Sequence, residues 1–193
     1  MRCVMLVYLH PLMKKLSAIL LLAVLLAGIN IGCRGKVRDN SISPYITKVP
    51  ASAVIDSILV IKQSRELFVF SNGRLLKIYR IHLGINPVGR KQVSGDYKTP
   101  EGLYHIAYAN PNSLYHKSLA ISYPNEQDIT RAKKLGKSPG GDIMIHGLPN
   151  ADANVGPDRY QNDWTFGCIA MRNEEIDEIF GKVEPGTPIL LLP

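Results

Sequence analysis

Cysteine is nearly absent from this 193-residue chain: Cys3, Cys33 and Cys168 are the only three. The first two lie in or beside an N-terminal apolar region, so the body of the protein carries one thiol. If that region is processed and Cys33 is lipidated, a disulfide framework within one chain is excluded. His82, His105 and His116 are scattered without ligand spacing and a single thiol stands with them, so no metal site is expected. Phosphate-cradling and dinucleotide-binding glycine patterns are also missing, and no cofactor is expected. Charge is only mildly one-sided. The formal net charge is +7, of which Arg2, Lys14 and Lys15 supply three in a stretch without acids, leaving +4 for the rest. No basic stripe interleaved with aromatics occurs, which argues against nucleic acid as a partner. The residual positive balance suits an anionic wall polymer and is equally ordinary for a soluble surface.

Long hydrophobic runs are lacking too. The longest, Leu16 to Leu26 broken by Ser17, is short for a membrane span and follows Lys14-Lys15. A basic step before a short apolar run is the pattern of an export signal, here residues 1–32, and Met13 opens a more conventional signal than Met1. Gly32-Cys33 then sets a small residue before a cysteine, the local requirement for lipid attachment in bacterial lipoproteins. Asn30 is unusual just upstream, so lipidation of Cys33, a cleaved signal and an uncleaved anchor all stand. In each case the body is exported, to the cell envelope or periplasm, with an N-terminal membrane anchor in two of the three.

Residues 33–55 are polar and without periodicity, and read as a tether. Residues 56–193 are long enough for one domain with a core of its own. Ile58 to Ile61 and Glu66 to Phe70 are β-rich runs, and Ser71-Asn72-Gly73 turns the chain into Leu75 to Ile81. Gly84 to Gly102 is dense in Gly, Pro, Lys and Asp and predicts a long ordered loop before a strand at Leu103 to Ile106. Asn125 caps a first helix that carries Asp128 three residues on and ends at Gly136. A second begins at Asn173, with Ile176, Ile179, Phe180 and Val183 at core spacing and Asp177 read as lying on its inner half in a structural role. Pro185-Gly186 leads to a closing strand, Pro188 to Leu192. The expected class is mainly β, with helices decorating strands.

His146-Gly147 closes an alternating strand-like run, Ile143-Met144-Ile145, and 22 residues later comes Thr165-Phe166-Gly167-Cys168. A thiolate is the reactive form of cysteine, and an imidazole beside it lowers the thiol pKa and takes its proton, so the pair has the parts of an acyl-transfer nucleophile. The backbone amides around Gly167 and Cys168 are placed to hold a developing oxyanion, and turn geometry alone also accounts for the glycines. Trp164, Thr165 and Tyr160 are candidates for lining a substrate groove.

Gly140-Gly141-Asp142-Ile143-Met144-Ile145-His146-Gly147, Asp163-Trp164-Thr165-Phe166-Gly167-Cys168-Ile169-Ala170-Met171 and the Gly95-to-Gly102 loop together resemble the L,D-transpeptidase (YkuD-type) catalytic domain, from about Asp56 to Leu192. The resemblance implies a β-sandwich-like fold, Cys168 as nucleophile, His146 as general base and Gly147 as the residue whose carbonyl orients the imidazole. It implies peptidoglycan stem peptides as partners, cleaved before a D-alanine, with an amine taking over the acyl group. Hydrolysis of the same thioester, by an L,D-carboxypeptidase or wall-protein amidase, and a non-catalytic wall-binding lipoprotein are the alternatives. Many relatives carry His before the Gly-Cys and Arg two residues after it; here Phe166 and Ala170 stand there. An apolar Phe166 wall is expected to dry the site and favour transfer. The oligomeric state is left open.

Overall fold

The structure is a computed structural model that describes residues 48–152 and 162–193. The export signal, Cys33, most of the tether and Tyr160 lie outside the described residues. Among those described, no helix is long and apolar enough to cross a membrane.

Three strands open the domain: β1 (Ser57–Ile61), β2 (Glu66–Ser71) and β3 (Arg74–Arg80). In β1 and β2 buried and half-buried residues alternate, as expected where one face meets the core. Asn72 and Gly73 join β2 to β3 with φ of 50° and 72°, the primed turn whose twist suits a hairpin. Then follow β4 (Gly102–Ser113), β5 (His116–Ile121), helix α1 (Glu126–Lys134), β6 (Met144–His146), β7 (Ile169–Ala170), helix α2 (Asn173–Phe180) and β8 (Pro188–Leu192). The sandwich-like expectation resolves into one curled eight-stranded sheet, ordered β3-β2-β1-β8-β4-β5-β6-β7. The long strand β4 joins its halves. Gly102 to His105 pair with β8 and Ile106 to Ser113 pair with β5.

Both expected helices form where their signals lie. Asn125 accepts from the amides of Gln127 and Asp128, Asp128 returns a bond to the Asn125 amide, and Gly136 follows at φ 66°. Asp128, 1% exposed, also accepts from Tyr104 and pairs with Arg131, docking α1 on the sheet. On α2, Ile176 and Ile179 are fully buried with Val183 close behind, and Phe180 is half-buried. Asp177 lies on the exposed side of α2, not the inner half, and pairs there with His116 and Lys117. Residues Gly84 to Glu101 form the expected irregular segment. Asp96 gathers it by accepting from the amides of Gln92, Val93 and Lys98 and from Lys91.

Candidate active site

Pairing of β6 with β7 removes the separation between the two motifs. The strands run parallel with Ile145 level with Ile169 and His146 level with Ala170, so Cys168, just before β7, comes alongside the strand that ends in His146. The other edge of β7 is held by His82, which exchanges both backbone hydrogen bonds with Ala170 at 2.8 Å. Cys168 and His146 line one cleft of about 480 Å³, together with Tyr115, Trp164, Thr165 and Phe166.

His146 is 4% exposed, and its Nδ1 lies 2.7 Å from the carbonyl oxygen of Gly147. A carbonyl only accepts, so Nδ1 carries the proton and Nε2 keeps the lone pair. The Tyr115 ring lies 4.6 Å from the imidazole, and the Trp164 ring meets it edge-on at 5.7 Å. Burial holds the His146 pKa below the usual imidazole range, against a smaller upward pull from the Gly147 carbonyl. Gly147 itself allows a close approach. A Cβ there would stand 2.5 Å from Asn173 Oδ1 and 3.0 Å from the His116 Cβ. Asn173 Oδ1 accepts from the Leu148 amide, and the Gly147 amide donates to the carbonyls of Tyr115 and Lys117.

Cys168 is half-buried, and its Sγ donates to the carbonyl of Asp142 at 3.3 Å. Burial pushes the thiol up, and the charge of Asp142 adds to the push. Smaller downward pulls come from the Met144 backbone and the charge of Lys91, and the lowering expected from the imidazole is not seen. The resting pair at neutral pH is thiol and neutral imidazole rather than thiolate and imidazolium.

The turn that presents Cys168 is closed by Thr165, whose hydroxyl donates to the Cys168 carbonyl (2.7 Å) and accepts from the Gly167 amide (3.1 Å). Thr165 is 4% exposed and borders the cleft, but its hydroxyl is fully engaged in shaping the turn. The same bond occupies the Gly167 amide, which the sequence offered as an oxyanion donor. Gly167 has φ 131°, and a Cβ on it would stand 2.8 Å from the Lys98 carbonyl oxygen. The Gly95-to-Gly102 loop thus packs backbone to backbone against the turn that presents Cys168. At the start of that turn Asp163 accepts from Arg65 and from the Leu83 amide. Phe166 is 74% exposed, borders the cleft and leans on Tyr97, with ring centroids 5.3 Å apart.

Of the residues singled out from the sequence, Cys168, His146, Gly147, Gly167, Trp164 and Thr165 come together, and Tyr160 lies outside the described residues. Tyr115 and Asp142 were missed. Tyr115 sits between two strands with no motif around it, and the one sign of it was an apolar Leu114-Tyr115 step in a turn. Among the described residues no three or more His, Cys, Asp or Glu side chains cluster as a metal site would require.

Residues 55–191 match the family defined by the L,D-transpeptidase catalytic domain, YkuD. "Putative L,D-transpeptidase YafK" of Escherichia coli (strain K12) is 29% identical over 171 residues, which cover 82% of this chain and 62% of that protein. "Putative L,D-transpeptidase YqjB" of Bacillus subtilis (strain 168) is 24% identical over 135 residues, covering 69% of each. Among solved structures, the helical cell shape determining protein Pgp2 from Campylobacter jejuni superposes with a TM-score of 0.54 at 28% identity, over 72% of this chain and 48% of that one. The chain thus spans about half of Pgp2 and under two thirds of YafK. With the motifs gathered in one cleft and the match running through nearly all of the folded domain, the chain belongs to the YkuD family of L,D-transpeptidase catalytic domains.

Proposed function

We propose that this protein is a cysteine acyltransferase acting on peptidoglycan stem peptides, with Cys168 as nucleophile and His146 as base. The observation that carries the reading is the His146 Nδ1 bond to the Gly147 carbonyl, which leaves Nε2 basic in the cleft that also holds the only free thiol of the described residues. The thiol gives its proton to Nε2 as sulfur attacks the carbonyl that precedes a D-alanine. A C–S bond forms, the C–N bond breaks, and the imidazolium returns the proton to the departing amine of D-alanine. With the Gly167 amide engaged in the turn, the Cys168 amide is the donor proposed for the oxyanion, a contribution of about 3 kcal/mol. An acceptor amine then attacks the thioester and regenerates the thiol.

A neutral resting pair fits this scheme, because proton transfer accompanies attack and no buried charge is held beforehand. Hydrolysis is the second reading, and the exposure of Phe166 favours it, since water reaches the nucleophile's surroundings. In either case the enzyme works outside the cytoplasm, carried there by residues 1–32, tethered by residues 33–55 and anchored through Cys33 where that residue is lipidated.

The test supplies purified tetrapeptide muropeptides with and without a diamino-acid acceptor and reads products by mass. Release of D-alanine, a thioester on Cys168 and a cross-linked dimer are expected, and Cys168→Ala is expected to abolish all three while staying folded. Tripeptide alone at every acceptor concentration assigns the protein as a hydrolase, and turnover by Cys168→Ala rejects the cysteine mechanism.

A further inference from the structure

A second hollow, of about 330 Å³, adjoins the catalytic cleft and shares two residues with it, Asp142 and Met144. Its other walls come from β4, β5 and the Ser122-to-Pro124 corner. Asp142 is the only charged side chain among the described residues lining either space, since His146 rests neutral. It is exposed, and it forms no ion pair or side-chain hydrogen bond with the described residues. Most acids packed around the site differ. Asp96, Asp163 and Glu101 are each paired with a cation.

The backbone of Asp142 has φ 55°, and its carbonyl accepts the Cys168 thiol at 3.3 Å, so the residue is fixed beside the sulfur. A carboxylate here works against the nucleophile, because its charge raises the thiol pKa. A left-handed backbone and an uncompensated charge at the mouth of a reaction site mark a position held for function rather than for packing.

We infer that Asp142 binds the primary ammonium of the acyl acceptor, which enters through the smaller hollow while the donor peptide fills the larger one. This rests on the reading of Cys168 as an acyl-transfer nucleophile. A lone anion attracts a cation and repels a carboxylate, and no other charged residue among those described lines the two spaces. The held group attacks as the free amine. It gives one proton to solvent, its nitrogen bonds to the thioester carbon as the C–S bond breaks, and a second proton passes through His146 Nε2 to the departing sulfur. Asp142 thus selects and orients the amine, a matter of positioning that helps it outcompete water.

The probe is Nα-acetyl-lysine amide, titrated by NMR into the full-length Cys168→Ala protein, so that binding is read without chemistry. Asp142→Asn keeps a side chain that tolerates the left-handed backbone. It is expected to weaken the probe about fivefold, as is acetylation of the probe's own amine. Added salt is expected to weaken binding to the parent and not to the Asn variant. In the active protein the same substitution is expected to raise the acceptor KM more than it lowers kcat. Equal affinity in the Asn variant, equal binding of the acetylated probe, or no binding of the probe overturns the inference. Failure of the underlying reading is separate: it shows as a protein with Cys168 intact that forms no thioester from tetrapeptide donor.

Discussion

The two ends of the sheet are built on different principles. At the β3-β2-β1 end, strands of five to seven residues pair with their neighbours in sequence and turn through a local hairpin, and β1 and β2 alternate in burial. At the β6-β7 end the strands have three and two residues, too few to hold a geometry by their own ladder. What fixes them comes from far away in the chain, and much of it from the four residues that join β1 to β2. Lys62, 2% exposed, donates to the carbonyls of Gly89 and Thr99 and to Glu101, which holds the loop packed on Gly167. Arg65, three residues on, grips Asp163 at the head of the turn that presents Cys168. The self-supporting end of the molecule thus lends its rigidity to the end that carries the thiol. That is the arrangement a site needs when reacting atoms must be held to a fraction of an ångström.

Removing the link tests the comparison most severely. Lys62→Ala leaves Glu101, whose side chain is 11% exposed, without its partner and empties the donor of two carbonyls. A loss of about 3 to 5 kcal/mol in unfolding free energy is expected, read by urea denaturation, together with slowed thioester formation in the protein that remains folded. Leu67→Ala is the control from the other end. Leu67 is fully buried in β2, so about 2 to 5 kcal/mol of stability should go. Thioester formation by the folded fraction should stay close to the parent rate. If Leu67→Ala slows the folded enzyme as much as Lys62→Ala does, the two ends are one mechanical unit and the contrast is wrong.

The same contrast governs what was legible in the sequence. β1, β2 and their hairpin turn were readable because alternation and β-branched runs coincide with local pairing, and β8, which pairs far away in the chain, because an apolar run follows the Pro185-Gly186 turn. α1 and α2 were readable from Asn125, Asp128 and the Ile176/Ile179 spacing. β5 was not, because its last four residues, Ser118 to Ile121, are buried on both faces and so show no period of two. β4 was seen only as far as Ile106. Asn110-Pro111-Asn112 has the composition of a turn, yet the strand runs on over an irregular stretch of ladder that tolerates a proline. At the site, motif residues were visible as chemistry, whereas Tyr115 and Asp142 acquire meaning only from what lies beside them. The direction of the thiol's shift was hidden for the same reason, since the degree of burial is a property of the folded chain.

That shift gives a pH signature for the β6-β7 end. In the proposed mechanism His146 must be neutral to act as base, and burial places its titration below the ordinary imidazole value of 6.5. Thioester formation is therefore expected to be flat from neutral pH down through that value and to fall about tenfold per unit only below the depressed pKa. For stability the sign follows from the unfolded chain, which takes up the proton first as pH drops. The contribution of His146 is fully present above the ordinary imidazole range and is lost as pH falls through it toward the lower folded value. A rate profile that bends above 6.5 would show that His146 is not the base, or is not buried when it acts.

The smallest effect concerns Tyr115, which covers one side of the imidazole at 4.6 Å and is 39% exposed. An aromatic contact of this kind contributes about 0.5 to 1.5 kcal/mol beyond burial. Tyr115→Leu is thus expected to slow thioester formation by about threefold, and Tyr115→Phe, which keeps the ring, hardly at all. The rate alone would not separate positioning from general loosening. The pH profile does: the depression of the His146 pKa comes from burial, and removing the ring admits water to the imidazole, so the acid limb of the Leu variant should move upward toward 6.5 while that of the Phe variant stays in place. A Leu variant that is slower with an unmoved limb would make Tyr115 a packing residue of the β4–β5 turn. An upward shift would make it the lid that keeps the base dry.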